Sequence, residues 1–235
     1  MIYAGSRIVN NWIYPIDKGY VLIDTGYESG FAHFKKQLAK MQIAPQQIQY
    51  IFYDDHAGYL NEILSGCSDI QMIMSDKALE RLYRGQNSFH GGCTTKIALF
   101  FCSLMKFVGK GKHLFPPIKQ EYSCRCIQVT KQNRKQMELL LQGKIIDTPG
   151  HTADSISLLL NDGSLFCGDA AMNGLPSLHR ITIWAEDKTA FLKSWETIIA
   201  HRPNLIYPGH GKPFGYDDLK TNLKRAKNMK LLPIY

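Results

Sequence analysis

Long apolar runs are missing from this sequence of 235 residues, and so are low-complexity segments and short repeats. The most apolar stretch, at residues 97–108, is too short and too charged at its ends to span a bilayer. The first residues show no basic stretch followed by an apolar run, so we expect no secretory signal. These absences argue against a membrane-spanning or disordered protein, and we expect a cytoplasmic one.

Closely paired cysteines with zinc-knuckle spacing are also missing. The six cysteines are scattered along the chain, and in the absence of a signal we interpret them as reduced thiols rather than a disulfide framework. Cys124 and Cys126 are separated by one residue, which is too tight for the usual Cys-x-x-Cys motif. We therefore favour no metal or redox role for this pair.

Acidic residues are fewer than basic ones, which gives a formal net charge of +8. We favour a lysine-rich solvated surface as the explanation. Attraction of an anionic substrate, a nucleic acid or an acidic membrane surface is the alternative. No RNA-binding signature with interleaved aromatic residues is present, so we do not expect a nucleic-acid partner. Hydrophobic residues make up 45% of the chain and charged residues 20%, as in ordinary globular proteins.

The chain length suits one domain over residues 1–235, with residues 87–117 as a helical cap-like insertion. Residues 97–108 of this insertion are apolar except at Ser103 and Lys106. They form either a buried core helix, or a cap that covers a pocket or leans on a membrane surface. Lysines at 106–112 would then be available to an anionic group. Phe100, Phe101 and Trp184 suggest an apolar pocket wall.

Short strand patterns alternate with amphipathic helices along the sequence. Gly19–Asp24 reads as an apolar strand that ends in an acid, and a helix capped by Ser29 should follow it. A β-hairpin is predicted over Ser155–Cys167, and a helix capped by Asp187 over Lys188–Ala200. Each half of the chain contains strands of this kind followed by helices. This arrangement suggests two sheets face to face, flanked by helices.

Four loops follow apolar strands and carry a metal-binding side chain beside glycine or another small residue. They are Asp54–Gly58, Pro149–Thr152, Cys167–Ala170 and Pro208–Gly211. Strand-end loops converge at one rim of a sheet assembly, and histidine with carboxylate is the ligand chemistry of zinc and related divalent ions. A neighbouring glycine lets the backbone turn sharply near the ion. Together the four loops predict a metal site.

The segments GYVLIDTG, DDHAG, TPGHT, FCGDAA and YPGHG have the order and approximate spacing found in one known family. In these segments, from about Tyr20 to His210, the chain resembles the metallo-β-lactamase superfamily. The resemblance implies an α+β fold, an αββα sandwich of two mixed sheets face to face flanked by helices. It also implies a metal site at one edge of the sandwich.

One part of the family pattern is missing. The family motif His-x-His-x-Asp-His has two histidines before its Asp-His pair, but here Ile51-Phe52-Tyr53-Asp54 precede Asp55-His56. Either Ile51 and Tyr53 replace the two histidines, or a short piece of the loop has been deleted, which we slightly prefer. On both alignments two ligands of the first metal are lost.

The resemblance assigns roles to the residues that remain. Asp55, His56 and His210 match ligands of the second metal, Asp169 matches the bridging carboxylate, and His151 matches a histidine of the first site. The second site is therefore complete, whereas the first keeps His151 and a share of Asp169. We expect one zinc ion, with manganese or iron as alternatives.

These assignments suggest a metal-dependent hydrolase of a small ester, lactone, thioester or amide that uses a metal-activated water. Asp55 or an uncoordinated His151 would act as the general base. Asp24 would hold the metal loop. The alternative is a catalytically impaired metallo-β-lactamase-fold protein that binds a ligand or a partner. Iron oxygenases and thiol dioxygenases of the same fold fit poorly, because by the resemblance they keep the first site.

Overall fold

Strands and helices alternate through most of the chain, as the hydrophobic pattern predicts. The computed structural model describes residues 1–6, 8–108 and 114–234. The strands are β1 (Ile2–Tyr3), β2 (Trp12–Ile16), β3 (Gly19–Ile23), β4 (Ile48–Phe52), β5 (Gln71–Ser75), β6 (Gly92–Cys93), β7 (Cys126–Val129), β8 (Gly143–Asp147), β9 (Ile156–Leu160), β10 (Ser164–Gly168), β11 (Trp184–Ala185) and β12 (Leu205–Pro208). The helices are α1 (Phe31–Lys40), α2 (Leu60–Gly66), α3 (Ala78–Arg84), α4 (Lys96–Phe107), α5 (Arg134–Leu141), α6 (Lys188–His201) and α7 (Asp217–Asn228).

The chain divides into two compact units, of which the first comprises Met1–Gln86 and Phe115–Gly143. Its six-stranded mixed sheet has the order β1-β2-β3-β4-β5-β7. The first three strands pair antiparallel, and β3, β4, β5 and β7 pair parallel. Ile23 lies opposite Phe52, so the carboxyl ends of β3 and β4 meet at one edge of the sheet. Buried side chains such as Phe34, Leu38 and Ile51 form the core.

The second unit comprises Asn87–Leu114 and Lys144–Tyr235. Its main sheet has the order β12-β10-β9-β8, and β6 and β11 form a separate two-stranded sheet. The strands β9 and β10 form the predicted antiparallel hairpin, whereas β10 and β12 run parallel. Phe191, Trp195 and Ile198 on α6 are buried in the core of this unit. The expected single domain with an insertion at 87–117 stays a prediction.

The two predicted helix caps have different outcomes. Asp187 caps α6 as expected, because its Oδ1 accepts hydrogen bonds from the backbone N–H groups of Thr189 (2.7 Å) and Ala190 (3.0 Å). The prediction for Ser29 is wrong. A 3₁₀ turn at Glu28–Gly30 precedes α1, so Ser29 lies inside a helical turn. Its hydroxyl therefore does not cap the first turn of α1.

Helix α4 exposes most of its apolar side chains. Ala98 is the buried residue of this helix, while Phe100 is 72% exposed and Phe107 89% exposed. The core-helix interpretation of residues 97–108 is therefore wrong. Lys106 is exposed on α4, and the predicted anion-binding lysines Lys110 and Lys112 lie outside the described residues. Among the helices that are described, none has the length and apolarity needed to cross a bilayer.

Candidate metal centre

The loop that follows β4 is held by the acid that ends β3. Oδ1 of Asp24 accepts hydrogen bonds from the backbone N–H groups of Asp54 (2.8 Å) and Asp55 (3.3 Å). The parallel pairing of β3 and β4 makes this contact possible, because it brings the two strand ends together. The backbone carbonyl of His56 accepts from Thr25 N–H at 2.9 Å, which fixes the far side of the loop. Asp24 thus positions the loop as the sequence predicts.

A buried arginine from α3 reaches the same loop. Nη1 of Arg81 lies 3.1 Å from Oδ1 of Asp55, and Nη2 donates to the backbone carbonyl of Asp54 at 3.0 Å. The guanidinium carbon lies 5.6 Å from the ring centre of Tyr53, whose hydroxyl donates to the carbonyl of Asp55 at 3.1 Å. All four of these side chains are buried. Arg81 therefore supplies a fixed positive charge to one oxygen of Asp55.

The imidazole of His56 lies between two carboxylates of the first unit. Its Nδ1 is 3.6 Å from Oδ2 of Asp55 and 3.7 Å from Oδ2 of Asp24. The Tyr27 ring meets the imidazole edge to face, with the ring centres 5.7 Å apart. The first unit therefore brings together two of the predicted ligands, Asp55 and His56, and leaves Oδ2 of Asp55 beside the imidazole.

In the second unit, the ends of β10 and β12 bring Asp169 and His210 together. Gly168 pairs with Pro208, and the N–H of Gly209 donates to the carbonyl of Gly168 at 2.7 Å. This parallel register places the two following loops at one edge of the sheet. Nε2 of His210 lies 3.5 Å from Oδ2 of Asp169.

His151 meets the same carboxylate from the loop after β8. Its Nε2 is 3.8 Å from Oδ2 of Asp169, and its Nδ1 is 2.8 Å from the backbone carbonyl of Trp184. A carbonyl oxygen only accepts hydrogen bonds, so Nδ1 carries the proton. Nε2 of the neutral imidazole then keeps its lone pair and faces Asp169. His151 is thus held in the tautomer that suits a ligand or a base.

Gly209 leaves room for the other oxygen of Asp169. A Cβ atom on Gly209 would lie 2.7 Å from Oδ1 of Asp169. That oxygen is buried and has no hydrogen-bond partner among the residues that the structure describes. A buried carboxylate oxygen without a partner is costly, which indicates that a cation belongs at this end of the unit.

Comparisons with known proteins decide the fold. No protein-family model matches the chain. A stretch of 96 residues is 31% identical to Beta-lactamase-like protein 2 homolog of Drosophila melanogaster and covers 39% of this chain. The match spans 31% of that relative's length.

Solved structures are similar over nearly the whole chain. A Cronobacter sakazakii metallo-β-lactamase named for its HARLDQ motif matches with a TM-score of 0.64 and 17% identity, covering 96% of this chain and 87% of that one. An archaeal metallo-β-lactamase superfamily protein from Sulfolobus tokodaii matches with a TM-score of 0.62 and 17% identity, covering 97% and 84%. The chain has the metallo-β-lactamase fold. TTHA1623 in a di-iron-bound form also matches, with a TM-score of 0.62, 16% identity and coverage of 94% and 96%.

The metallo-β-lactamase fold confirms two predictions from the sequence, the family resemblance and the α+β fold class. Of the five predicted ligands, the first unit assembles Asp55 and His56, and the second assembles His151, Asp169 and His210. The use of these residues as ligands stays a prediction. A di-iron-bound relative indicates that proteins of this fold bind metal.

The donors in the second unit fit a divalent ion. Two ligand atoms bound tetrahedrally at about 2 Å from a metal lie about 3.3 Å apart. Oδ2 of Asp169 lies 3.5 Å from Nε2 of His210 and 3.8 Å from Nε2 of His151, which is close to that spacing and too long for a good hydrogen bond. Imidazole and carboxylate are also common donors for zinc and for iron.

Arg81 is the residue of this region that sequence reasoning missed. It lies on a short helix and belongs to no motif of the metallo-β-lactamase pattern described above. No sequence signal identifies it, because arginine on a short helix beside Glu80 is usually exposed. The sequence does not show that the partner is Asp55.

Proposed function

We propose that this protein is a metal-dependent hydrolase with one divalent ion, held by Asp55, His56, Asp169 and His210. The observation that carries the proposal is the environment of Asp169, whose Oδ2 faces two imidazole nitrogens while its buried Oδ1 has no partner among the described residues. The family resemblance supports Asp55 and His56 as the remaining ligands. We propose zinc as the ion, with manganese or iron as alternatives.

Two features support one ion rather than two. The sequence lacks the two additional histidines of the family motif, so the first site keeps few donors. In addition, the guanidinium of Arg81 lies 3.1 Å from Oδ1 of Asp55. This fixed positive charge beside the single proposed ion repels a further cation.

The chemistry that a divalent ion supplies when bound is Lewis acidity toward a carbonyl oxygen and a more acidic water. His151 is the better general base of the two candidates. The Trp184 carbonyl holds a proton on Nδ1, so Nε2 is the nitrogen of the neutral imidazole that would accept a proton from the attacking water. Asp55 is the weaker proton acceptor because Oδ1 already accepts from Arg81. Asp24 keeps the loop in place through the N–H groups of Asp54 and Asp55.

The substrate class that we propose is a small ester, lactone, thioester or amide. These compounds share a carbonyl that a metal polarises and that a water attacks. A panel of p-nitrophenyl esters, aliphatic lactones, acyl thioesters and anilides separates the four classes. Turnover of at least one class that disappears on chelation and returns on adding zinc is the expected result.

Metal analysis tests the proposal independently of the substrate. Protein purified without chelators should contain about one equivalent of a transition metal, whereas Asp169→Asn should contain less than about a tenth. Asp162→Asn is a suitable control, because Asp162 lies in the exposed turn between β9 and β10. Equal metal content in the wild type and in Asp169→Asn would contradict the proposed site.

A binding module without catalysis is the second candidate function. It is favoured by the loss of two ligands from the first metal site. It is also favoured by the Arg81–Asp55 ion pair, which partly neutralises a proposed ligand of the second site. This candidate predicts less than about a tenth of an equivalent of metal in the wild type, even after reconstitution with zinc, manganese or iron. We place either function in the cytoplasm, where thiols such as Cys67, Cys93 and Cys167 stay reduced.

A further inference from the structure

Helix α4 carries an apolar stripe that faces solvent. Residues three, four and seven positions apart share one side of a helix. The exposed apolar residues of α4 and its C-terminal neighbour follow this spacing, and they are Ile97, Phe100, Phe101, Leu104, Phe107 and Val108. A contiguous exposed apolar patch of this kind marks an interaction surface in soluble proteins. We call these six residues the α4 stripe.

The opposite side of α4 packs against the rest of the second unit, so the stripe faces solvent. Ala98 is buried, and the thiol of Cys93 donates a hydrogen bond to Cys102. This hydrogen bond raises the pKa of Cys93 and lowers that of Cys102. The side chain of Thr95 caps the helix by accepting from the N–H of Ala98 at 3.0 Å. The helix is thus anchored by residues other than those of the stripe.

The sequence around the stripe is basic. No aspartate or glutamate occurs between Glu80 and Glu121. Lysine and arginine recur in that interval, at Arg81, Arg84, Lys96, Lys106, Lys110, Lys112 and Lys119. Lys96 belongs to α4, is exposed and shares the side of the helix that carries Phe100 and Phe107. The charged residues of α4 itself are all basic.

We propose that the α4 stripe docks on the surface of an anionic lipid bilayer, with the helix lying in the plane of the membrane. Apolar side chains on one face and lysines beside them are the features of interfacial helices. Anionic headgroups complement Lys96 and the net charge of +8, and a lysine near such a surface strengthens binding. A second copy of this chain complements the stripe less well, because it carries the same charge of +8.

The length of α4 suits a surface position. Twelve residues span about 18 Å at 1.5 Å per residue, and a bilayer core is about 30 Å thick. The phenylalanines would enter the boundary between headgroups and acyl chains, and Lys96 would stay among the phosphates. This docking would bring the enzyme to substrates dissolved in the membrane, but it does not depend on the proposed metal chemistry.

Vesicle flotation tests the proposal with the full-length protein. We expect binding to vesicles of phosphatidylcholine mixed with phosphatidylglycerol, and much weaker binding to phosphatidylcholine alone. The double variant Phe100→Gln/Phe107→Gln should bind at least about tenfold more weakly, since both side chains lose their apolar area. Lys96→Gln should weaken binding by roughly fivefold. Glutamine is a good helix former, so the exposed positions should tolerate it.

Leu139→Gln is the matched control, because Leu139 is 78% exposed on α5 and lies outside the stripe. It should bind vesicles like the wild type, and circular dichroism should show equal helix content in all variants. Absence of binding to anionic vesicles would overturn the proposal, as would equal binding by the phenylalanine variant. Concentration-dependent dimers that disappear in that variant, without vesicle binding, would identify a second copy as the occupant instead.

Discussion

Nη1 of Arg81 and Oδ1 of Asp55 form a buried ion pair at 3.1 Å, although 26 residues separate them in the chain. By the resemblance, Asp55 matches the aspartate of the family motif, whereas Arg81 lies outside the motifs described above. The pair places a permanent positive charge beside a proposed metal ligand. The guanidinium therefore balances the buried charge of Asp55 whether or not a metal is bound.

Replacing Arg81 with methionine should destabilise the metal-free protein by about 3 kcal/mol, because a buried carboxylate loses its cation. Added zinc should raise the melting temperature of Arg81→Met by more than that of the wild type, since Asp55 then offers both oxygens to metal. Differential scanning fluorimetry with and without zinc measures both effects. Arg84→Met is the control, because Arg84 is exposed on the same helix. Equal zinc-induced shifts in wild type and Arg81→Met would refute this role.

Gly209→Ala should displace the Asp169 carboxylate, because the new Cβ would lie 2.7 Å from Oδ1. We expect a loss of about 1–3 kcal/mol of stability from overpacking. Zinc affinity should fall at least about tenfold, since a ligand position changes. Competition with a chromophoric chelator measures the affinity. Gly66→Ala is the matched control, because a Cβ atom on Gly66 would meet nothing within 4 Å. If Gly209→Ala binds zinc with unchanged affinity, the position of Asp169 Oδ1 does not affect metal binding.

Asp24 should be more sensitive to alanine than to asparagine. Its Oδ1 accepts from two backbone N–H groups, and its φ of 53° lies in the left-handed region that asparagine tolerates. Asp24→Ala should lose about 2–4 kcal/mol in urea unfolding, because buried donors lose their acceptor and the backbone is strained. Asp24→Asn should lose less than half as much free energy of unfolding as Asp24→Ala. If the two variants unfold at the same urea concentration, the hydrogen bonds to the loop are not what stabilises it.

Two buried tyrosines should make the protein sensitive to alkali. Burial raises the pKa of Tyr14 above its ordinary value of 10.0, and burial followed by the charge of Asp24 raises that of Tyr59. These tyrosines therefore ionise more easily in the unfolded chain. The stability that they contribute is intact below pH 10 and is lost as the pH rises further. Each should lower the free energy of unfolding by about 1.4 kcal/mol per pH unit in that range.

The variants Tyr14→Phe and Tyr59→Phe should each flatten the alkaline decline in stability, although each also loses one hydrogen bond, to Leu141 and to Asn11 respectively. Urea titrations at pH 8, 10 and 11 would give the slopes. Tyr83→Phe is the control, because Tyr83 is exposed. An unchanged slope in both buried variants would mean that other groups cause the alkaline loss.

Much of the candidate site could be predicted because its residues follow strands. Asp55, Asp169 and His210 each come directly after or near the end of an apolar strand, and parallel neighbours such as β10 and β12 bring those ends together. The contact between His151 and the Trp184 carbonyl was beyond prediction, since it joins a loop to a two-residue strand 33 positions later. Short strands of this kind leave almost no periodic signal.

Local pattern alone predicted the strand over Gly19–Asp24, the hairpin over Ser155–Cys167 and the loops that carry histidine and carboxylate. It also carried the resemblance that implies the fold. Only the tertiary structure decided that Arg81 balances Asp55 and that the apolar side of α4 faces outward. The physical reason is that periodicity tells which side chains share a face, whereas the packing of distant segments decides what covers that face. For the same reason, a charge in a sequence does not identify its partner until the chain is folded.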